Sequence, residues 1–453
     1  MKQNVLILGL GKSGVSAANH ALYRCDNVTI YAGKSTQNTK TAATSFIENG
    51  VPVIFDEEEV KGNFDLCVAS PGIPQHSKFY CSALSASDEV ISEPEYAFRQ
   101  SPNNWIAITG TNGKTTTTSL VTHVFNECGK EASSCGNIGD TTIDAIENRK
   151  PNEVLVAEMS SYQLHSTSHF APRTSALLNI TPDHISWHGS FDAYTDAKLK
   201  IFENLVEGCT AVIHAELQCK DKIYSMLNNR DVRIIEIGTE IGENCAFVKD
   251  AKLVLRFEGV ETIICNVSSL KIKGEHNVIN AAFAAAIAFD FGLEARKISK
   301  ALQSFNALQH RIEPVGTVNG VEFYNDSKAT NVDATLQALT AFPKMGVYLL
   351  LGGRDKGTNL SALVNTAQKT CKEVIVYGEA GKRFFNAFEG SSIPCIHVAG
   401  MKDAFCYACK NAKSGDVVLL SPACASFDEF NSFEHRGDTF KKWVLAYCSE
   451  SGK

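Results

Sequence analysis

Residues 106–118 read Ile106-Ala-Ile-Thr-Gly-Thr-Asn-Gly-Lys-Thr-Thr-Thr-Thr118. The apolar residues at the start predict a buried strand, the glycines predict a tight turn, and Lys114 begins a predicted helix. Backbone N–H groups in such a turn, together with the positive end of a helix, suit phosphate oxygens. Lys114 can reach the outer phosphates and Thr115 can hold Mg²⁺, so the stretch predicts a nucleotide-binding P-loop.

The pattern departs from the strict Walker spacing at one position. That spacing would place a glycine at 108, where this chain has Ile108, so by pattern alone the stretch is a shortened P-loop. The alternative interpretation is a glycine-rich turn between strand and helix that binds no ligand. The Gly-Lys-Thr sequence between a strand and a helix favours the P-loop.

The composition of the whole chain bounds its class. At 453 residues the chain exceeds a single hydrophobic core, which predicts two or three domains. With 44% hydrophobic and 21% charged residues it is typical of a water-soluble globular protein. A net charge of -7 argues against a nucleic-acid partner. No stretch reaches the roughly 20 apolar residues that span a bilayer, so we expect no membrane insertion.

The 15 cysteines lie in apolar stretches with no secretory signal ahead of them, which predicts reduced thiols in a cytosolic protein. Cys406 and Cys409 form a close pair inside a predicted helix over residues 404–412. Core packing is the more common use of that spacing in a helix, so we expect no metal at this pair.

The N-terminal residues 4–14 predict a strand, a glycine turn and a helix, with glycines at the G-x-G-x-x-G spacing of a Rossmann-like unit. A nicotinamide enzyme would place an acidic residue after the next predicted strand, 28–32, where this chain has Ala32-Gly33-Lys34. That argues against a dehydrogenase. A third predicted strand, 64–69, ends in Ser70-Pro-Gly72, so this edge would suit a phosphorylated ligand such as a nucleotide diphosphate.

Polar residues follow the predicted strands of the P-loop region. Residues 154–158 predict a strand that delivers Glu158 at its end, either as a Mg²⁺ ligand or as a helix cap. A strand predicted at 175–180 precedes His184, which can bind metal, take a proton or be structural. Lys198 lies in a predicted helix over 193–204 and, by sequence alone, is a surface lysine.

From residue 209 to 274 the pattern is rich in strands, and an alanine-rich helix follows. Asn277 and Asn280 lie near the start of that helix, where they can cap it or contact a nucleotide. From about residue 307, strands and helices alternate, which predicts a mainly parallel sheet. Its strands are predicted at 321–324, 347–351, 374–377 and 417–420. The loops after them carry Thr330, Lys356 and Ser426, a set that would bind a small dicarboxylate.

Taken together, these stretches resemble the Mur ligase family of bacterial cell-wall synthesis. The resemblance covers essentially the whole chain and is carried by Gly110-Thr-Asn-Gly-Lys-Thr115, Asn325-Asp-Ser-Lys-Ala-Thr-Asn331 and residues 421–437. The first of these is the family's own form of P-loop, which accounts for Ile108. The last two are most similar to the branch that adds D-glutamate, and the Asp-Asn-Pro-Arg motif of the diaminopimelate-adding branch is not in the sequence.

The resemblance implies an α/β fold in three domains. These would be an N-terminal Rossmann-like domain for a UDP substrate (1–94), a central P-loop domain for ATP (95–306) and a C-terminal Rossmann-like domain for an amino acid (307–453). It further implies an ATP-dependent ligase of peptidoglycan precursor synthesis. This enzyme would join D-glutamate to UDP-N-acetylmuramoyl-L-alanine through an acyl phosphate, as a cytoplasmic monomer with ATP and two Mg²⁺ ions.

The resemblance also implies a role for particular residues. For ATP it implies Gly110, Thr111, Asn112, Gly113, Lys114, Thr115, Thr116, Asn277, Asn280, Arg311 and Asp326. For the UDP-linked substrate it implies Gly11, Lys12, Ser13, Gly14, Ser70, Gly72, Asn137, Ser160 and His184. For D-glutamate it implies Thr330, Lys356, Ser426 and Phe433. For Mg²⁺ it implies Thr115, Glu158, His184 and Lys198 as a carbamate, and for catalysis Lys114, His184, Lys198 and Lys328.

The sequence departs from the family pattern at one place, and several alternative functions remain open. Where some relatives place Asp-Thr against the uracil and ribose, this chain has Ala32-Gly33, and Lys34 or Ser35 can substitute. The competing functions are an L-alanine-adding Mur ligase, a folylpolyglutamate synthase, a nicotinamide dehydrogenase and a non-catalytic nucleotide-binding regulator. The regulator would be expected to lose Lys114, Glu158 or Lys198, and all three are present.

Overall fold

In a computed structural model, residues 2–342, 346–355 and 357–451 of the chain are described. The chain forms two compact units, one of Met1–Ser269 with Ile279–Gln303 and the other of Leu270–Val278 with Ser304–Lys453. The first unit contains two sheets and the second contains one. No helix within the described ranges has the length and apolar character needed to cross a membrane.

The first sheet is parallel, with strand order β3-β2-β1-β4-β5. Its elements are β1 (Asn4–Leu8), α1 (Lys12–Tyr23), β2 (Asn27–Gly33), α2 (Gln37–Glu48), β3 (Val53–Phe55), β4 (Leu66–Ala69), α3 (Lys78–Ala86), β5 (Val90–Ser92) and α4 (Glu93–Gln100). Buried apolar side chains fill β1 on both faces, as helices on both sides of a parallel sheet require. The strand order reverses between β1 and β4, and such a switch point is where open α/β sheets bind ligands.

The second sheet has the order β14-β13-β12-β11-β10-β9-β6-β8-β7. In chain order its elements are β6 (Trp105–Thr109), α5 (Lys114–Glu127), β7 (Ala132–Gly136), α6 (Thr142–Glu147), β8 (Val154–Glu158), α7 (Ser161–His165), β9 (Thr174–Leu177), α8 (Ile185–His188), α9 (Phe191–Leu199), β10 (Thr210–His214), α10 (Lys220–Leu227), β11 (Arg233–Ile237), β12 (Cys245–Lys249), β13 (Lys252–Phe257), β14 (Val260–Asn266), α11 (Glu275–Asp290) and α12 (Ala295–Ser304). Short 3₁₀ helices cover Lys200–Phe202 and Val267–Ser269.

Strands β6, β8 and β9 are neighbours in this sheet and run parallel. Their carboxyl ends therefore meet at one edge. The chain continues there into the P-loop after β6, beyond Glu158 after β8, and towards His184 after β9. The fold thus brings together polar residues that lie far apart in the sequence.

The second unit has a six-stranded sheet of order β15-β16-β20-β17-β18-β19. Its elements are β15 (Glu313–Val318), β16 (Val321–Asn325), α13 (Val332–Leu339), β17 (Gly346–Gly352), α14 (Ser361–Thr370), β18 (Cys371–Tyr377), α15 (Gly381–Phe388), β19 (Cys395–His397), α16 (Met401–Asn411), β20 (Asp416–Leu420) and α17 (Phe433–Ser451). The sheet is parallel except for β15, which pairs antiparallel with β16.

The α/β class is confirmed, and several element boundaries were wrong. The strand predicted at 175–180 ends at Leu177, because Asn179 uses its side chain to hold the backbone of the P-loop. The helix predicted at 193–204 ends at Leu199 and tightens into a 3₁₀ turn. The predicted boundary near residue 94 falls in the first turn of α4. The division into three domains stays a prediction.

Candidate active site

The P-loop turn lies between β6 and α5 and ends on Gly113, whose backbone is left-handed with φ +85°. A Cβ atom at this position would lie 2.8 Å from the side-chain oxygen of Asn280. That oxygen accepts a hydrogen bond of 3.1 Å from the hydroxyl of Thr117 in α5. Glycine is therefore required at 113 for two reasons, the backbone conformation and the close approach of Asn280.

Lys114 lies over the turn that it follows. Its Nζ donates to the carbonyl oxygens of Gly110 and Thr111, each at 2.8 Å. The backbone N–H of Asn112 donates to Asn179 Oδ1 at 2.9 Å, and Asn179 Nδ2 donates back to the Asn112 carbonyl at 3.0 Å. The loop is thus held in place by side chains from beyond it, with half-buried Thr115 and buried Thr116 opening the helix.

Glu158 ends β8 with its carboxylate almost fully buried at 1% exposure. One oxygen, Oε1, accepts a hydrogen bond of 2.7 Å from Asn137 Nδ2. The other, Oε2, is buried and finds no hydrogen-bond partner within the described parts of the chain. A buried carboxylate oxygen that lacks a donor is costly unless a cation neutralises it, so Glu158 fits a cation ligand better than a helix cap.

Lys198, which by sequence alone looks like a surface residue, is 1% exposed at the end of α9. Its Nζ donates to the Gly110 carbonyl at 2.8 Å and lies 4.7 Å from the ring centroid of Tyr194. Burial, and then the positive charge of Lys114, lowers the pKa of the Lys198 amine well below its ordinary value. The surface interpretation is wrong, because α9 turns this side chain towards the P-loop.

Two residues at this edge escaped the sequence analysis. Tyr194 shares a 2.9 Å hydrogen bond with the hydroxyl of Thr111, and Asn179 holds Asn112 as described above. The signal for Asn179 was its place two residues after a buried strand, where polar groups of a parallel sheet collect. Tyr194 carried no such signal, because one aromatic residue in a helix usually marks the core.

His184 has a left-handed backbone with φ +54° and is exposed. Its Nε2 lies 3.5 Å from Asp183 Oδ2, and its ring lies 5.0 Å from that of Tyr162. Nearby Ser160 caps α7 by accepting from the backbone N–H of Gln163 at 3.2 Å. Across residues 2–342, 346–355 and 357–451, no three His, Cys, Asp or Glu side chains come together as a metal site. A cation here would therefore need ligands from other groups, such as Thr115 or a modified Lys198.

A cavity of about 750 Å³ lies at the switch point of the first sheet. Its walls include Gly9, Leu10, Gly11, Lys12, Val15, Ser16, Asn19, Ala32, Asn38, Thr39, Ala42, Ser70, Ile73 and Asp144. The turn before α1 is tight, since a Cβ atom on Gly14 would lie 2.0 Å from the carbonyl oxygen of Gly9. That oxygen also accepts from Ser70 Oγ at 3.1 Å, and Lys12 Nζ donates to the Gly139 carbonyl at 2.6 Å.

The cavity brings together Gly11, Lys12 and Ser70 of the predicted UDP-binding set. Ser13, Gly14, Gly72 and Asn137 are not among its lining residues. The suggested substitutes Lys34 and Ser35 are also not part of this lining, whereas Asn38 and Thr39 of α2 are. These two residues were not predicted because they lie inside α2, several residues beyond the end of β2, and not in the turn that directly follows that strand.

In the second unit, Asp326 follows β16 and is 6% exposed. Its carboxylate accepts from Ser421 Oγ at 2.7 Å and from the backbone N–H of Ile312 at 3.2 Å. Burial raises the pKa of Asp326 to about 7, against the opposing effect of its hydrogen bonds and of Arg311 and Arg436. Asp326 thus lies at the carboxyl edge of the sheet, where the charges of Arg311 and Arg436 act on it.

Arg436 is fully buried, and its guanidinium holds the Asn325–Asn331 loop against the loop after β20. It donates to Ser327 Oγ at 2.9 Å, to the Ser327 carbonyl at 2.8 Å and to the Cys424 carbonyl at 3.0 Å. Ser327 Oγ in turn donates to the Phe433 carbonyl at 2.8 Å. Sequence reasoning missed Arg436, since an arginine in a helix usually faces solvent.

The residues predicted for D-glutamate lie around these two loops. Lys328 Nζ lies 3.7 Å from the ring centroid of Phe433, a cation–π contact, and half-buried Thr330 is two residues further along. Ser426 is 2% exposed after β20. Lys356 lies outside the described residues.

Asn277, which is predicted for ATP, is anchored by its Nδ2, which donates to the Lys273 carbonyl at 2.7 Å.

With this geometry in view, comparisons with known proteins define the class. Residues 108–288 match the Mur ligase middle domain and residues 310–424 match the Mur ligase glutamate ligase domain. A protein of Koribacter versatilis named UDP-N-acetylmuramoylalanine--D-glutamate ligase is 37% identical over 453 residues, covering 100% of this chain and 99% of its own. A protein of the same name from Thermoanaerobacter pseudethanolicus is 36% identical and covers 98% of each chain. The chain belongs to the Mur ligase family.

Solved structures agree in fold. UDP-N-acetylmuramate-alanine ligase of Thermotoga maritima superposes with a TM-score of 0.60 at 19% identity, covering 98% of this chain and 100% of its own. The MurF ligase of the same organism, solved with ADP, gives a TM-score of 0.62 at 15% identity, covering 92% and 96%. At these identities the similarity concerns the fold alone.

Proposed function

We propose that the protein joins D-glutamate to UDP-N-acetylmuramoyl-L-alanine with the conversion of ATP to ADP and phosphate, in peptidoglycan precursor synthesis. The observation that carries this proposal is the full-length similarity, at 34–37%, to relatives that are all named UDP-N-acetylmuramoylalanine--D-glutamate ligase. The P-loop, buried Glu158 and buried Lys198 supply what a phosphoryl transfer of this kind needs, which argues against a non-catalytic regulator.

The chemistry follows from the poor reactivity of a carboxylate. The L-alanine carboxylate first takes the γ-phosphoryl group of ATP, which forms an acyl phosphate and releases ADP. The neutral amine of D-glutamate then attacks the acyl carbon through a tetrahedral intermediate. The C–O bond to phosphate breaks, the amide forms and the amine loses a proton. Negative charge accumulates in both steps, so fixed cationic groups stabilise both transition states.

Residues of the first unit perform the phosphoryl transfer. The glycine turn and the N-terminus of α5 would face the phosphates, while Asn179 holds the backbone N–H groups of Thr111 and Asn112. Lys114, whose Nζ lies 2.8 Å from the Gly110 carbonyl oxygen, would balance the phosphate charge. Asn280 lies close against Gly113 and accepts a hydrogen bond from Thr117 of α5. His184 follows β9 at the same sheet edge and is exposed, so it would neighbour the transferred group. The contacts of Asn277, Arg311 and Asp326 with the nucleotide stay predictions.

Glu158 and Lys198 fit a Mg²⁺ ion. Glu158 offers a buried oxygen without a donor, and Lys198 offers an amine whose lowered pKa favours the neutral form. Only a neutral amine can add CO₂, and the product is an anionic carbamate where a cation was before. When bound, Mg²⁺ would neutralise phosphate charge and polarise the transferred group. Two ions are proposed. Thr115 and Glu158 would hold one, and His184 would bind or neighbour the second, with carbamylated Lys198 as an anionic partner in the metal site.

The cavity at the first sheet would hold the UDP group, with Lys12 and Ser70 at the phosphates and Asn137 and Ser160 along the muramoyl part. The second unit would bind D-glutamate through Thr330, Ser426, Lys356 and the Phe433 backbone, with Lys328 beside the reacting groups. We further propose a cytoplasmic monomer of three domains, because ATP and UDP-sugars are cytoplasmic substrates.

Phosphate release tests this function. The protein is supplied with ATP, Mg²⁺ and UDP-N-acetylmuramoyl-L-alanine, and D-glutamate, L-glutamate, L-alanine and meso-diaminopimelate are offered in parallel. Turnover with D-glutamate alone is expected. Turnover with another amino acid instead would assign the protein to a different member of the family, and no turnover with any of them would contradict the proposed function.

A further inference from the structure

Glu93 is a buried carboxylate that the proposed chemistry does not use. It follows β5 as the first residue of α4 and is 1% exposed. Its Oε1 accepts from Thr142 Oγ1 at 2.7 Å and from the backbone N–H of Ile143 at 2.6 Å. Both donors belong to the first turn of α6, in the part of the chain that carries the P-loop sheet. Glu93 therefore ties α4 to the start of α6.

The segment that Glu93 holds, residues 136–144, connects the two candidate substrate regions of the first unit. At one end Asn137 Nδ2 donates to Glu158 Oε1 at 2.7 Å, and its backbone N–H donates to the Glu158 carbonyl at 2.9 Å. In the middle, the Gly139 carbonyl accepts from Lys12 Nζ at 2.6 Å. At the other end Asp144 lines the cavity of the first sheet.

Each of these contacts depends on where the segment lies. The six-residue helix α6 is too short to fix its own position, and Gly136 and Gly139 take a left-handed backbone with φ +94° and +64°, which glycine adopts without strain. Thr141 caps α6 from within, by accepting from the backbone N–H of Asp144 at 3.1 Å. Glu93 joins the start of α6 to α4 by two hydrogen bonds to one carboxyl oxygen, and at the other end of α6 Glu147 pairs with His20 of α1 at 2.8 Å.

We propose that Glu93 is a positioning residue for the UDP-linked substrate, which fixes the 136–144 segment between the nucleotide cavity and Glu158. The inference rests on the proposed function for the identity of that substrate. Glu93 itself touches neither the cavity lining nor the reacting groups. Its effect passes through Thr142 and Ile143 to Asp144 and Gly139, and from there to Lys12.

The chain offers a matched control two residues away. Glu95 lies on the same turn of α4, is 0% exposed, and also accepts from backbone N–H groups of the P-loop region. Its donors are Ser168 at 3.2 Å and His169 at 3.0 Å, and it pairs with Arg99. Loss of Glu95 should therefore destabilise the same junction without moving residues 136–144.

The experiment compares E93A, E93Q, T142V and E95A in the full chain. The E93Q substitution keeps an acceptor oxygen, whereas E93A removes it and T142V removes one donor at nearly constant volume. We expect E93A to raise KM for UDP-N-acetylmuramoyl-L-alanine roughly tenfold, T142V to raise it less, and E93Q and E95A to change it little. KM for ATP and for D-glutamate should stay near the wild-type values in all four.

Amide hydrogen exchange supplies a readout that does not require activity. Residues 139–144 should exchange faster in E93A and T142V than in wild type, and at the wild-type rate in E93Q and E95A. If E93A fails to fold, T142V carries the same comparison. Faster exchange with unchanged KM would overturn the positioning role, and so would an equal rise of KM in E93A and E95A.

Failure of the proposed function gives a different result. In that case wild type itself would not turn over UDP-N-acetylmuramoyl-L-alanine. Calorimetric binding of UDP would then replace KM, since the cavity and the segment are the same. Weaker UDP binding in E93A but not in E95A would support the positioning role, and equal binding in wild type and E93A would overturn it.

Discussion

Lys198 and Gly110 meet across the P-loop, with the lysine Nζ 2.8 Å from the glycine carbonyl oxygen and only 1% of the lysine exposed. No negatively charged group accepts a hydrogen bond from this amine within the described residues. A buried amine beside Lys114 is an unfavourable place for a positive charge, so the neutral amine that can add CO₂ is favoured. This contact ties the amine to the backbone of the P-loop.

Lys198→Ala should leave the fold intact and reduce kcat by roughly a hundredfold or more, because a charged group at the phosphoryl site is lost. Lys200→Ala is the control, since Lys200 follows on the same segment and donates to the carbonyls of His165 and Thr167 at 2.9 and 3.0 Å, away from the P-loop. Labelled bicarbonate should give a carbamate carbon signal by NMR in wild type and not in K198A. Equal signals in both would exclude Lys198 as the carbamylated residue.

Gly113→Ala should abolish tight ATP binding. The left-handed backbone costs an alanine about 1–2 kcal/mol, and the new Cβ would also press on Asn280 Oδ1. Gly129→Ala separates the two effects, because Gly129 has the same φ of +85° and its Cβ would meet no described atom within 4 Å. Both variants should melt earlier, but only G113A should raise KM for ATP. A similar KM in both would show that the approach of Asn280 is unimportant.

Glu158→Gln should increase the Mg²⁺ concentration needed for half-maximal rate by roughly tenfold and lower kcat. The amide keeps the shape of the carboxylate but loses the charge that a cation would neutralise. Glu147→Gln is the control, because Glu147 is partly exposed and pairs with His20 at 2.8 Å. A Mg²⁺ dependence that is unchanged in E158Q would remove Glu158 from the ion site.

Ser426→Ala should raise KM for D-glutamate by roughly tenfold while KM for ATP stays constant, as expected for the loss of one hydrogen bond to a charged carboxylate. Ser432→Ala tests the same loop without the substrate contact, since Ser432 Oγ accepts from the backbone N–H of His435 at 3.2 Å. Initial rates over a range of D-glutamate concentrations decide the point. Equal effects of the two substitutions would argue for a structural role only.

Stability should fall as the pH rises through neutrality, in part because of Glu93. Burial raises the pKa of its carboxyl from 4.5 to about 7, so the folded state favours the protonated form. Its contribution is fully present below about pH 4.5 and is lost as the pH passes about 7. Glu93→Gln should therefore show a smaller drop in melting temperature between about pH 5 and about pH 8 than wild type. An equal drop would contradict the raised pKa.

The sequence predicted the elements whose pattern is local. The P-loop, the strand that ends in Glu158 and the four parallel strands of the last region were readable because apolar runs end in glycine or polar residues. Thr115, Asn280 and Asp326 also lie near helix starts or strand ends, where ligands collect. The short antiparallel strand β15 was missed because its residues are half exposed and lack alternation.

Contacts between segments that are distant in the chain could not be predicted from the sequence. Lys198 reads as a surface residue until α9 packs against the P-loop, and Arg436 reads as a helical surface residue until its guanidinium satisfies the Ser327 carbonyl, 109 positions away. By sequence alone, Glu93 is an acidic residue in the first turn of a helix. Its partner segment begins about fifty residues later, so only the fold reveals what it holds.

The most direct measurement follows one oxygen atom. UDP-N-acetylmuramoyl-L-alanine labelled with ¹⁸O at both carboxylate oxygens is incubated with ATP, Mg²⁺ and either D-glutamate or L-glutamate. The masses of the amide product and of the released phosphate are then measured by mass spectrometry. With D-glutamate we expect an amide product and phosphate that carries a single ¹⁸O, because the phosphate that leaves the acyl carbon takes one carboxylate oxygen with it. Amide formation with unlabelled phosphate, or equal use of L-glutamate, would contradict it.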